Sequence, residues 1–151
     1  MPYSPILAPV VALVAWSLVM LGWTAVARRR AFAQMGISWG TIPRGSRGAN
    51  LDGKAPDGAQ WPSHNYNHLM EQPTLFYAIC LTLAMMGFGG GINYWLAWGY
   101  VILRIVHSII QSTINIVAYR FTVFALATLC LLFLTTHAGL RILHDCGILS
   151  F

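Results

Sequence analysis

The chain has 151 residues, of which 57% are hydrophobic and only 9% charged, with a formal net charge of +5. Soluble domains carry about 25% charged residues, so this composition excludes an ordinary soluble domain and predicts an integral membrane protein small enough to be one helical bundle. The basic residues gather in one segment, which is the pattern of a membrane flank, so no nucleic acid is expected as a partner.

The first apolar stretch covers about residues 5–27. It has no basic segment before it and is long enough to span, so it reads as a transmembrane helix rather than a cleavable signal. Pro9 falls in its first turns, where proline is tolerated. Residues 28–63 follow as a polar segment rich in Gly and Pro, read as a long loop. A second apolar stretch covers about residues 66–88 and stops at the glycines of GFGGGIN. A third covers about 94–117, a tight turn 118–120, and a fourth about 121–143. The expected fold is all-α: an integral membrane four-helix bundle forming a single four-span domain over 1–151. Short connections make the last three helices antiparallel neighbours.

Arg28, Arg29, Arg30, Arg44, Arg47 and Lys54 all fall in the first loop, and Arg120 in the last turn. The positive-inside rule places both in the cytoplasm and both termini outside.

The third stretch is not uniformly apolar. At about 100° per residue, Arg104, His107, Ser108, Gln111 and Asn115 share one helix face, opposite Ile102, Ile105, Val106, Ile109 and Ile116. Lipid cannot satisfy those polar groups, so the stripe must face the bundle interior or a cavity. On the second stretch His64, Asn67, His68 and Glu71 follow helical spacing. Glu71 is the one acidic residue inside any expected span, and Arg104 the one arginine well inside one. A Glu71–Arg104 ion pair, within a chain or across a subunit boundary, is the simplest neutralisation.

The polar groups exceed what pairing two helices requires, which points to a ligand pocket open to the cytoplasm. Arg104, Arg120 and the Arg28–Arg30 cluster would attract carboxylates. Glu71 would take an amino group, and His107 and Gln111 would donate hydrogen bonds. Those demands suggest a small peptide, with apolar walls left for a lipophilic second ligand. No metal is expected, because the histidines lack carboxylates or thiolates at ligand spacing. Cys80 and Cys130 lie in apolar runs and read as packing residues, and with Cys146 they show no redox spacing.

The segments NHLMEQPTLF and RIVHSIIQSTINIVAYRF resemble the MAPEG family, membrane-associated proteins in eicosanoid and glutathione metabolism. The resemblance implies a four-helix protomer, a homotrimer, and glutathione as cosubstrate between adjacent protomers near the cytoplasmic side. It implies glutathione contacts from Arg104, His107, Gln111, Glu71, Asn67, His68 and the basic cluster ending in Arg30. For Arg120 it implies stabilisation of the thiolate. The chain also departs from the family pattern. Gln111 stands where many members have tyrosine, His64 where an arginine is usual, and Pro73 comes early after Glu71. Tyr119 is the candidate replacement for the missing hydroxyl. The implied function is a glutathione-dependent transferase or peroxidase acting on lipophilic electrophiles drawn from membrane lipid. The alternative is a non-catalytic lipid- or partner-binding membrane protein of the same fold. Small four-helix multidrug exporters carry a glutamate in their first span, and residues 5–27 contain no acidic residue.

Overall fold

The computed structural model describes residues 3–51 and 53–148. They form α1 (Leu7–Gln34), α2 (Asp57–Leu69), α3 (Gln72–Met85), α4 (Ile92–Thr113) and α5 (Val117–Asp145), with short 3-10 turns at Trp39–Thr41 and Gly48–Leu51. The all-α expectation holds, and the described residues contain no strand. Helices α1 and α5 are each long and apolar enough to cross a membrane. Both turn large apolar side chains outward, among them Val11, Leu18 and Val19 on α1 and Leu129, Leu132 and Phe133 on α5. Water would penalise such surfaces, whereas lipid tails do not.

Helix α1 runs past the expected end of the first span. Its 28 residues reach about 42 Å, beyond the ~30 Å hydrocarbon core, so Arg28, Arg29 and Arg30 are still helical. It stops at Gly36, whose φ of 66° is costly for residues with a Cβ. There the Ile37 amide donates to the Phe32 carbonyl and the Gly36 amide to that of Ala33, at 2.9 and 3.3 Å.

The second expected span, 66–88, is not one helix. Met70 closes α2 by donating its amide to the Asn67 carbonyl at 2.9 Å. Glu71, with φ −92° and ψ −95°, forms the joint, and α3 begins with Pro73 in its first turn. The cause is covalent. Pro73 has no amide hydrogen for the Leu69 carbonyl, and its ring clashes with a helical carbonyl four residues earlier. The expected loop 28–63 is correspondingly shorter, because α1 takes its first residues and α2 starts at Asp57. Thr24 of α1 donates to the Pro62 carbonyl at 3.0 Å, and Arg28 donates to the Ser63 hydroxyl. These bonds clamp α2 onto α1.

The last turn also moves. Residues 118–120 belong to the first turn of α5, and the reversal occupies 114–116. Asn115 ends the bend at φ 56°, a conformation asparagine tolerates better than most residues.

The core is apolar and close-packed. Leu13 and Met20 of α1, Phe76 and Leu83 of α3, Tyr100 and Val101 of α4, and Leu134 of α5 are fully buried. Phe76 and Tyr100 stack with centroids 4.4 Å apart. Gln72 joins three helices: its amide donates to Thr128 of α5 at 2.9 Å, and Tyr100 of α4 donates to its oxygen at 3.3 Å.

Candidate functional site

The polar stripe of α4 faces inward. Arg104, His107, Ser108, Gln111 and Ser112 are buried, while Ile102, Val106 and Ile109 on the opposite face are exposed. The helical period that separates these sets in the sequence is kept in the fold. Asn115 is the exception, because it lies past the end of α4.

Helix α2 behaves differently. Its buried face is Ala59, Pro62, Ser63, Asn65 and Leu69. Ala59, Pro62, Asn65 and Leu69 lie about half a helical turn away from the expected polar face. His64, Asn67 and Glu71 are therefore exposed in the protomer, and His68 alone of that face turns partly inward. The Glu71–Arg104 ion pair is not made within the protomer. Arg104, fully buried, instead donates from Nη2 to the main-chain oxygen of His68 at 2.9 Å and lies 3.2 Å from His68 Nδ1. Arginine only donates, so His68 Nδ1 carries the lone pair and Nε2 the proton.

The helix break explains that exchange of partners. The His68 carbonyl lies in the last turn of α2, where carbonyls have no intrahelical donor. Such carbonyls also form the negative end of the helix dipole. A backbone oxygen thus answers the guanidinium, and the carboxylate beside it is left facing out.

Around this anchor the rings assemble. His68 and His107 stack with centroids 5.0 Å apart. Phe124 of α5 closes on His68 at 5.3 Å and on His107 at 6.2 Å, and its ring lies 5.9 Å from the Arg104 guanidinium carbon. Beside them opens a cavity of about 200 Å³ lined by His68, His107, Gln111, Val117, Arg120, Phe121 and Phe124. Arg120 is held by a bond from Nη1 to Asn115 Oδ1 across the α4–α5 reversal. The conformation that ends α4 therefore also aims the cation.

Four of the expected ligand residues thus meet: His68, His107, Gln111 and Arg120 line the cavity, with Arg104 behind them. Three do not. Asn67 and Glu71 are on the outside of α2, and Arg30 lines a separate cavity of about 300 Å³ with Trp23, Gln34 and Pro56. Tyr119 is 58% exposed and does not line the cavity, so it is no substitute for the missing hydroxyl there. The aromatic wall of Phe121 and Phe124 was not singled out in the sequence, where both read as ordinary span residues. Asn65 was also missed, although it is fully buried.

The site has unanswered polar capacity. Arg104 Nε and Nη1, His107 Nδ1 and Gln111 Oε1 are buried without a hydrogen-bond partner inside the protomer. Buried polar groups are normally paired, so these atoms fit a ligand rich in carboxylates and amides. The described residues contain no group of three or more His, Cys, Asp or Glu able to hold a metal.

The model of the MAPEG family matches residues 6–140. No curated protein matches the chain. No solved structure matches it either.

Proposed function

The chain belongs to the MAPEG family, and on that premise we propose that it is a glutathione-dependent transferase or peroxidase acting on lipophilic electrophiles. The observation that carries the reading is the meeting of His107, Gln111 and Arg120 at one cavity whose buried polar atoms lack partners. Arg104, His68 and His107 hold the tripeptide's carboxylates and amides. Arg120 lowers the pKa of the bound thiol, since an opposite charge within ~4–6 Å shifts a pKa by 1–3 units. Phe121 and Phe124 supply the apolar side, through which a substrate dissolved in the bilayer enters.

The protomer cavity of about 200 Å³ is smaller than the roughly 300–1,000 Å³ usual for ligand pockets. Asn67 and Glu71 carry exposed polar groups on the outer face of α2. A homotrimer in which a neighbouring protomer covers that face would enlarge the site and bring Glu71 to the ligand's amino group. The same reading takes α1, α2–α3, α4 and α5 as four membrane crossings of one domain, with the basic loop cytoplasmic and the site near that side.

The test is glutathione binding and turnover by detergent-purified protein. Wild type should show an ultraviolet thiolate signal and conjugate a lipophilic electrophile, and Arg120→Ala should lose both. A second reading, a non-catalytic binding protein of the same fold, is favoured by Gln111 and by the exclusion of Tyr119 from the cavity. Glutathione binding without thiolate or turnover would select it.

A further inference from the structure

A second polar site lies at the far end of the bundle, where the α3–α4 connection meets the last turns of α5. A cavity of about 420 Å³ opens there, lined by Phe88, Ile92, His137, Leu140, Arg141 and His144. Neither Arg120 nor any other residue of the cavity described above reaches it.

The polar part is built from the inside. Asn93 is 1% exposed, and its amide Nδ2 donates to the Phe88 carbonyl at 2.9 Å. That bond fixes the amide orientation and presents Oδ1 to His137 Nδ1, 2.7 Å away. His137 Nδ1 must then carry the proton. In the neutral ring, Nε2 is left as an acceptor. Arg141 uses Nε for Asp145 at 3.1 Å, and its guanidinium carbon lies 5.6 Å from the Phe88 ring centroid. One bond and one ring thus fix the guanidinium plane, and its terminal nitrogens remain donors. Asp145 also lies 3.4 Å from His144 Nδ1.

The setting is a membrane interface. Tyr94, Trp95 and Trp98 cluster in the first two turns of α4, and aromatic belts mark the headgroup level. Ile92 and Leu140, exposed at 64% and 42%, join the cavity to the apolar outer surface. An occupant must therefore offer an anion to Arg141, donors to His137 and Asp145, and an apolar tail.

We propose that this cavity seats a phospholipid whose headgroup combines a phosphate with N–H or O–H donors, of the phosphatidylethanolamine or phosphatidylglycerol kind. Its phosphate meets Arg141, its ammonium or hydroxyl meets His137 Nε2 and Asp145, and its acyl chains follow Ile92 and Leu140. Phosphatidylcholine supplies the same phosphate and tails but no donor, and is the discriminating comparison.

The experiment is native mass spectrometry of protein released from vesicles of equal phosphatidylethanolamine and phosphatidylcholine. Wild type should retain phosphatidylethanolamine over phosphatidylcholine by at least about tenfold, the worth of one charge-assisted hydrogen bond. His137→Phe, which removes the acceptor Nε2, should abolish the preference; Arg141→Ala should lower retention of both lipids, and Arg44→Ala, exposed in the basic loop, should change neither. If His137→Phe fails to fold, Leu140→Trp narrows the acyl-chain path of the cavity without touching a charge and should lower retention of both lipids. Equal retention of the two lipids by wild type, a preference that survives His137→Phe, or retention unchanged by Leu140→Trp, would overturn the assignment. Displacement of the lipid by millimolar glycerophosphoethanolamine would overturn it too, because the site would then belong to a water-soluble phosphoester.

Discussion

Arg104 is anchored by the backbone of His68, not by the carboxylate of Glu71 three residues further on. Ion pairing is only one way to bury a cation. The end of a broken helix is another, since its orphan carbonyls carry partial negative charge. The break costs α2–α3 its continuity and leaves Glu71 available to a ligand.

Double-mutant cycles for detergent stability separate the two partners. Glu71→Gln and Arg104→Gln should be additive within about 0.5 kcal/mol. His68→Ala and Arg104→Gln should couple by roughly 0.5–3 kcal/mol, because His68→Ala keeps the carbonyl but removes the Nδ1 that lies 3.2 Å from Arg104 Nη2. A coupled Glu71–Arg104 cycle would restore the ion pair.

Pro73→Ala returns an amide hydrogen to the joint. We expect α2 and α3 to fuse, with more helix by far-UV circular dichroism. The His68 carbonyl would then gain an intrahelical donor and release Arg104. Turnover should fall by about tenfold or more, equivalent to ~1.4 kcal/mol of barrier. Unchanged turnover with increased helicity would show that the anchor does not matter to the site.

Arg120→Ala should lower glutathione conjugation by about 10²–10³-fold, as for loss of one preorganised charge-stabilising donor. Binding should weaken by less than about tenfold, since Arg104 and His107 remain. Asn115→Gly tests the aim of that cation: glycine keeps the positive φ of 56° and removes the side chain whose Oδ1 accepts from Arg120. It should cost turnover about tenfold with little change in stability. Equal losses in binding and turnover for Arg120→Ala would place the residue in ground-state binding alone.

Topology can be read with thiols. Cys146 is exposed near the end of α5, and Ser46 is exposed in the basic loop. In intact cells an impermeant maleimide should label native Cys146. It should not label Ser46→Cys in a Cys146→Ser background. The reverse pattern would invert the orientation.

The stripe of α4 was legible because its polar residues occupy one face and isoleucines the other, so a single period decides burial. Helix α2 was not legible in the same way. It carries Ser63, Asn65, Asn67 and His68 around its circumference, and polarity alone cannot choose the face. The choice is made by packing: Ala59, Pro62 and Leu69 bring α2 close to its neighbours. Within the protomer the Glu71–Arg104 pair is not made, because the charge argument counted side chains only and left out the carbonyls that Pro73 sets free. Arg120 was readable as a cation at a helix start. Its partner Asn115 was placed on the stripe of α4, and only the reversal at 114–116 shows that it points to Arg120 instead.

The buried face of α4 also bears on how the chain enters a bilayer. A central arginine raises the insertion cost of an isolated helix by about 2.5–3.5 kcal/mol, and Arg104 sits near the middle of the 22 residues of α4. Only three residues separate α4 from the strongly apolar α5, so the two are suited to insertion as a hairpin, with α5 supplying the hydrophobic pull. A nascent chain stopped after Thr113 should leave α4 outside the membrane, and one extended through Asp145 should bring it in. Glycosylation of an acceptor site inserted on a spacer at the α4–α5 reversal reads the difference: it is used when α4 stays outside and not when the hairpin inserts.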